Sequence, residues 1–335
     1  MLEKPALPDE SLCACLREEF GLAVDTIEFL PLGADRNTAV YRAIAGGKTY
    51  FVKLRHGSFN ELSVRLPQFL GQNRVPHVML PIPGRNEQPW TELDSYKVIV
   101  YPFIEGHDGY QVGLTDQQWI AFGNMLRRVH NLELTPDLRS RIRREAFSDR
   151  WRRRLRECLA LVESRSFADP VARELAEFIR PRRAEILDLL ERAGSLARSL
   201  HERPPEFVLC HADVHAGNLL ITESGDFYLV DWDEAILAPR ERDLMSIGAA
   251  LFGSWRSPAE EEALFYRGYG SIQVDRQSLA YYRYERIIDD LAVECELILL
   301  CGEGGADRAR ELEFFKSNFE PGNTIELAYQ SDPMQ

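Results

Sequence analysis

Long apolar runs are missing from this 335-residue chain. No stretch of about 18 apolar residues occurs, so no membrane-crossing helix is expected. The segment MLEKPALPDE has neither the charged end nor the greasy stretch of a secretory leader, and a cytoplasmic location is the expectation. Cysteine is sparse and unpatterned: Cys13, Cys15, Cys158, Cys210, Cys295 and Cys301 form no CxxC pair. That excludes a disulfide or zinc framework as the organising element. Positive charge is also short, 40 basic residues against 53 acidic ones for a formal charge of -13. Such a balance disfavours nucleic acid and anionic membrane as partners and suits a cationic ligand. Lysine is the scarcest cation, with Lys4, Lys48, Lys53, Lys97 and Lys316 as the full set, so a lysine inside a strand pattern stands out.

What is present reads as an ordinary folded chain, 45% apolar and 28% charged. At roughly 150 residues per domain, the length predicts two domains or two lobes. Pro8, Asp9 and Ser11 open a short helix that Gly21 can close. Thr38 to Ala45 and Thr49 to Leu54 read as a hairpin across Gly46, Gly47 and Lys48. Phe59 to Leu70 has a helical pattern that Pro67 should kink or end. Val98 to Ile104, in KVIVYPFIEG, reads as a buried strand running into a crossover.

Helical patterns dominate beyond it. Thr115 and Gln118 form a capping box for a helix to about Val129. Asp169 and Pro170 open a second stretch that Pro181 should divide. One β island interrupts, at Glu206 to Cys210, Leu219 to Thr222 and Phe227 to Asp231, with Ser224 and Gly225 as a turn. Helices resume near Arg242 and run to about Phe319. The predicted architecture is α+β: a small α/β lobe over 1–101, a hinge at 102–106, and a larger, mostly helical lobe over 107–335.

The segment FVLCHADVHAGNLLITESGDFYLVDWDEA, residues 207 to 235, carries the chemistry. Its strand–loop–strand pattern places Asp213 and Asn218 on one loop and Asp231 at the next strand end. Amide and carboxylate oxygens of Asn218 and Asp231 suit a magnesium ion. Asp213 is then left to orient a hydroxyl and accept its proton. The D-x-x-x-x-N spacing followed by an aspartate fits phosphoryl transfer. Lys53, in TYFVKL, is the strand lysine able to neutralise nucleotide phosphates, with Glu61 on the following helix as its expected partner. The loop PLGADRNTAVY, residues 31 to 41, would cover the phosphates. It holds Gly33 alone and no G-x-G-x-x-G, so cradling falls to Asn37 or backbone amides. In YPFIEG, the Pro102 carbonyl and the Ile104 amide offer an acceptor and a donor to an adenine edge. Nine arginines between 139 and 156 read as a solvated helical face.

H-x-D-x-H-x-G-N followed by D-x-D resembles the signature of the aminoglycoside phosphotransferase and choline kinase superfamily, with its protein-kinase-like fold. GADRNTAVY, VYPFIEG, LCHADVHAGN, DWDEAILAPRERDLM, YRGYG and YYRYERIIDD resemble blocks of its spectinomycin-modifying branch, from about residue 5 to about residue 328. The resemblance implies ATP- and Mg²⁺-dependent O-phosphorylation of an aminocyclitol, with Asp213 as base, Asn218 and Asp231 as metal ligands and Lys53 on the nucleotide. His215 stands where protein kinases carry lysine, which implies a small-molecule acceptor. His215, Asp233 and Glu234 are candidates to contact it, as are Glu285, Asp289 and Asp290 for its ammonium groups. Kinases for choline, methylthioribose, homoserine or macrolides share the phosphate machinery, and a nonenzymatic nucleotide-binding scaffold is the alternative outside catalysis.

Overall fold

The computed structural model describes residues 4–31, 37–300 and 305–333. Gly33, at the centre of the expected phosphate-covering loop, lies outside them. Two compact units emerge, one of residues 1–129, 134–142 and 215–235, the other of 130–133, 143–214 and 236–335. The first unit carries past the 102–106 segment and takes back the 215–235 stretch, so its limits differ from those of the lobe expected at 1–101.

The first unit begins with helix α1 (Asp9–Phe20), whose buried Leu12, Cys15, Leu16 and Phe20 recur at helical spacing. Gly21 ends it in the left-handed region at φ 72°, returning its amide to Arg17. Strands β1 (Val24–Leu30), β2 (Thr38–Ala45) and β3 (Lys48–His56) follow. Gly46 and Gly47, at φ 55° and 74°, give the β2–β3 turn the two positive angles it requires. Helix α2 (Leu62–Gln72) continues five residues beyond Pro67, which is buried in it rather than ending it. Strands β4 (Thr91–Leu93) and β5 (Tyr96–Pro102) complete an antiparallel sheet of order β1-β2-β3-β5-β4. Val52, Leu54, Val98 and Val100 face the α1 core. Strand alternation therefore sends Phe51, Lys53, Arg55, Ile99 and Tyr101 to the opposite face. The expected strand at 98–104 stops at Pro102.

Strand β6 (His107–Asp108) leads to helix α3 (Asp116–His130), which opens with the expected capping box of Thr115 and Gln118. Helix α4 (Pro136–Arg141) closes this part of the chain.

In the second unit, helix α5 (Arg150–Ser164) carries the last five arginines of the 139–156 run, Arg139 and Arg141 lying on α4. Arg152 departs from the expected solvated face: it is buried, paired with Glu285, and donates to the carbonyls of Phe147 and Ser148. Helix α6 (Pro170–Glu202) is one continuous element through Pro181. Proline removes the N–H that would reach Glu177, but Glu177 and Pro181 are exposed, so this turn of the helix is open to solvent.

The β island divides between two sheets. Strand β7 (Val208–Cys210) belongs to the second unit; in the first, β8 (Leu219–Ile221) lies between β6 and β9 (Phe227–Leu229) and pairs with both. The partner of β7 is β10 (Ile236–Ala238), with Cys210 opposite Ile236. Thus Asp213 does not share one ribbon with Asn218 and Asp231, contrary to expectation: β7 carries apolar side chains on both faces and pairs where it is fully buried. The helices α7 (Glu241–Leu244), α8 (Pro258–Tyr269), α9 (Arg276–Leu300), α10 (Gly305–Ser317) and α11 (Thr324–Ser331) follow, the last lying past the expected helical limit. Helix α9 is central to the second unit's core, contributing Tyr284, Ile288, Leu291 and Cys295. Among the described residues no helix is long and apolar enough to cross a membrane.

Replacing Pro181 by alanine should stabilise the protein by about 1–2 kcal/mol, because the lost helical hydrogen bond is regained at an exposed site. Urea unfolding followed by circular dichroism measures it; an unchanged or lowered midpoint would contradict the account of Glu177.

Candidate active site

Asp213 lies in the second unit, on the bend after β7. Ala212 takes φ 72° there, a left-handed conformation costing a residue with a Cβ about 1–2 kcal/mol. A buried carboxylate compensates. Asp243 of α7, fully buried, accepts the His211 amide at 2.9 Å and the Ala212 amide at 2.7 Å. It also meets Nε2 of His130 at 3.0 Å, while Nδ1 of that ring faces the Tyr269 hydroxyl at 2.6 Å. Burial pushes the Asp243 carboxyl up, but the His130 hydrogen bond, the nearby His130 and His211 charges and the backbone donors outweigh it and hold it below the usual range. Nδ1 of His211 accepts the Asp213 amide at 3.3 Å. Three successive amides, 211 to 213, are therefore fixed.

The Asp213 carboxylate meets helix α9. Arg286 donates from Nη1 to its Oδ1 at 2.8 Å and from Nε to Asp290 at 3.0 Å. Burial works against the guanidinium charge, yet facing Asp290 and Asp213 more than reverse this and raise its pKa. Of the acids expected to receive substrate ammonium groups, Glu285 is taken by Arg152 and Asp290 by Arg286. Burial pushes Glu285 up to about 7 and Asp289 up to about 6.

In the first unit, a 3₁₀ turn over Ala216–Asn218 is capped by His215, whose Nδ1 accepts the Gly217 amide at 3.1 Å. Tyr110 stacks on the same ring with centroids 6.3 Å apart. Asn218 is buried, and its carbonyl accepts the Val230 amide at 2.9 Å, extending the β8–β9 ladder toward Asp231. Asp231 is exposed at φ 65°, which aspartate tolerates better than most residues. Asn218 and Asp231 thus both lie at the ladder end, one an amide residue and one a carboxylate. This hard, all-oxygen donor set fits Mg²⁺, which takes few protein ligands and keeps water and phosphate as the rest.

The turn Trp232–Glu234 then carries Asp233 to the far face of the five-stranded sheet. Asp233 Oδ2 lies 2.5 Å from Arg55 and 3.9 Å from Lys53. Burial, then Asp233 and Asp231, push the Tyr101 hydroxyl well above its ordinary value, so these carboxylates act on the face that bears Lys53.

The expected Lys53–Glu61 pair is not formed. Glu61 sits just before α2 and pairs with Arg65 one turn later at 2.9 Å, a local partner that costs less chain ordering than a reach to the sheet. Asp233, expected to meet substrate, pairs with Arg55 and lies 3.9 Å from Lys53. Its separation of 180 residues leaves no local signal; only D-W-D after the β9 strand hinted at a second functional carboxylate. Glu234 is exposed, and Pro102 ends β5 opposite Tyr50 with Ile104 beyond the strand. The Asn37 carbonyl accepts the His56 amide at 2.8 Å, fixing the mouth of the β2–β3 hairpin. Asp243, Arg286 and Arg55 were not singled out from sequence. The APRERDLM block contained Asp243, and YYRYERIIDD contained Arg286, but nothing in their spacing gave a role.

Removing the Asp243 carboxylate strands two amides and His130 in a dry interior. Asp243→Ala should destabilise the protein by about 3–5 kcal/mol. Thermal and urea denaturation test this, and a loss under about 1 kcal/mol would show that the bend holds itself.

The description "Phosphotransferase enzyme family" belongs to the family model, APH, that matches residues 28–282. The crystal structure of spectinomycin phosphotransferase APH(9)-Ia in complex with ADP and spectinomycin is 32% identical and superposes with a TM-score of 0.90, over 98% of this chain and 99% of that one. Protein StrN of Streptomyces griseus is 26% identical over 247 residues, 72% of this chain and 74% of its own length. Choline kinase LicA from Streptococcus pneumoniae, 16% identical at a TM-score of 0.57 over 92% of this chain and 97% of its own, shares the fold. The family match over residues 28–282 and the likeness at 32% identity along almost the whole chain agree: this chain belongs to the APH phosphotransferase family, as a small-molecule phosphotransferase with an alcohol acceptor.

Proposed function

We propose that the chain transfers the γ-phosphoryl group of ATP, with Mg²⁺, to a hydroxyl of spectinomycin or a close aminocyclitol, in the cytosol, with antibiotic resistance as its biological role. The observation that carries this reading is the end-to-end likeness to a spectinomycin phosphotransferase at 32% identity. Asp213 orients the acceptor hydroxyl and takes its proton as the new P–O bond forms and the bond from the γ-phosphorus to the bridging oxygen breaks, releasing ADP. A carboxylate on a fixed backbone suits that task, since proton transfer needs an acceptor already within hydrogen-bond reach. Lys53, held by Asp233, faces the α- and β-phosphates, while Asn218 and Asp231 would hold the metal. Bound there, Mg²⁺ supplies charge neutralisation on the phosphate oxygens. The 102–106 crossover serves as the hinge, and its Pro102 carbonyl and Ile104 amide meet the adenine edge. His215 and Glu234 face the acceptor.

Mass spectrometry after incubation with ATP and Mg²⁺ tests the substrate: spectinomycin should gain one phosphoryl group. Gain by choline, methylthioribose or homoserine, with spectinomycin unchanged, would replace the aminocyclitol reading. Asp213→Asn should lower kcat by about 10²–10⁴-fold while ATP still binds. Asp233→Asn should weaken ATP binding through Lys53, whereas Glu61→Gln should leave it within about twofold, since an exposed local pair contributes little. Calorimetric titration with ATP separates the two; a larger effect at Glu61 would return the lysine's partner to α2.

A further inference from the structure

We propose that Arg286 is a positioning residue for Asp213: its guanidinium, braced by Asp290, fixes the carboxylate that steers the acceptor hydroxyl. The inference rests on the reading of Asp213 as that carboxylate, and it assigns a role to a residue that no motif marks.

Fixing a backbone does not fix a side chain. The amides of residues 211 to 213 are held by Asp243 and His211, but Asp213 keeps two rotatable bonds that those contacts do not restrain. Arg286 supplies the restraint, with Nη1 donating to Oδ1 at 2.8 Å. The guanidinium is itself oriented. Asp290 lies four residues further along α9, on the same helical face, and accepts from Nε at 3.0 Å. One planar group therefore meets two carboxylates in a geometry set by its own fork, which a lysine ammonium cannot reproduce.

Both supports are stiff. Arg286 sits within the 25-residue helix α9, and its neighbours Glu285, Ile287 and Ile288 are buried. Arg286 and Asp213 retain 27% and 29% side-chain exposure, leaving the pair reachable by an acceptor. Ordinary exposed ion pairs contribute little because two flexible chains must be ordered for each other. Here the helix and the pinned bend supply much of that order beforehand.

The surrounding charges favour the same orientation. Glu294, a further turn along α9, is buried with an Oε2 that has no hydrogen-bond partner. Burial, then Asp290 and Glu311, push its carboxyl up to about 9, so it is neutral at pH 7. Asp290 is the member of that ladder that faces Arg286. Arg286, then Arg242 and Arg150, also act on Asp289, the adjacent acid on the helix. Arg286 donates a hydrogen bond to Asp213 itself.

The test compares parent, Arg286→Ala, Arg286→Lys and Asp213→Asn full-length proteins, with ATP, Mg²⁺ and spectinomycin, after melting curves establish that each folds. Arg286→Ala should lower kcat about 10²-fold, the loss expected from a misplaced reacting group, with both KM values within about threefold. Arg286→Lys should recover only part of the loss, and added ethylguanidinium should restore turnover to Arg286→Ala. An acceptor-independent readout accompanies the kinetics. In protein labelled with ¹³C-aspartate, the Asp213 Cγ resonance, identified by its disappearance in Asp213→Asn, should shift and broaden in Arg286→Ala. A parent-like kcat or a fall in KM in Arg286→Ala would overturn the positioning role, as would an unmoved Cγ signal. If Asp213→Asn turned over like the parent, the reading of Asp213 would fall and this inference with it. An inactive Asp213→Asn beside a fully active Arg286→Ala would remove Arg286 alone.

Discussion

A single buried carboxylate shapes the loop on which the chemistry is proposed to occur. Asp243 gathers the amides of His211 and Ala212 and the ring of His130 into one dry contact, and in doing so sustains a left-handed alanine. An isolated carboxylate would not stay charged in that setting. Its partners make the charge tolerable, and the charge in turn makes the bend tolerable. Neither half of that exchange survives without the other. Cys210, close to the same cluster, is pushed well above its ordinary value by burial and by Asp243, and it behaves as a packed apolar residue rather than a nucleophile.

Local chemistry made much of the architecture legible. The Gly46–Gly47 turn, the Gly21 terminus and the Thr115–Gln118 box each encode a backbone conformation within a few residues, and each forms as read. The prolines misled because their effect depends on what lies around them. Pro67 contributes buried apolar surface to α2, and Pro181 leaves a carbonyl that solvent can reach. The β island misled because strand pairing is non-local: three short apolar segments in sequence need not choose one another. Cys210 pairs with Ile236, a residue the pattern had not assigned to a strand.

The residues proposed for the active site divide along the same line. Asp213, Asn218 and Asp231 could be singled out because their spacing matches a phosphoryl-transfer pattern, and Lys53 because lysine is scarce and it lies in a strand. Their supports were not visible. Asp233 reaches Lys53 across 180 positions, Arg286 reaches Asp213 across 73, and Asp243 reaches back to His130 across 113. Each support is an ordinary acid or base in a helix or turn, and its identity becomes informative only when burial and direction are known. The arginine run shows this most plainly: of its nine members, Arg152 turns inward to Glu285, while Arg153 and Arg154 make pairs with exposure typical of a solvated helix.

Glu294 has a consequence for how the whole molecule would behave on a column. A carboxyl whose proton is retained to about pH 9 adds nothing to the negative field at neutrality, and Glu261 and Glu285, each raised to about 7, are only partly ionised there. Anion-exchange retention and electrophoretic migration would therefore report a less acidic particle than counting letters gives. Raising the pH toward 9 would increase retention with no change in composition.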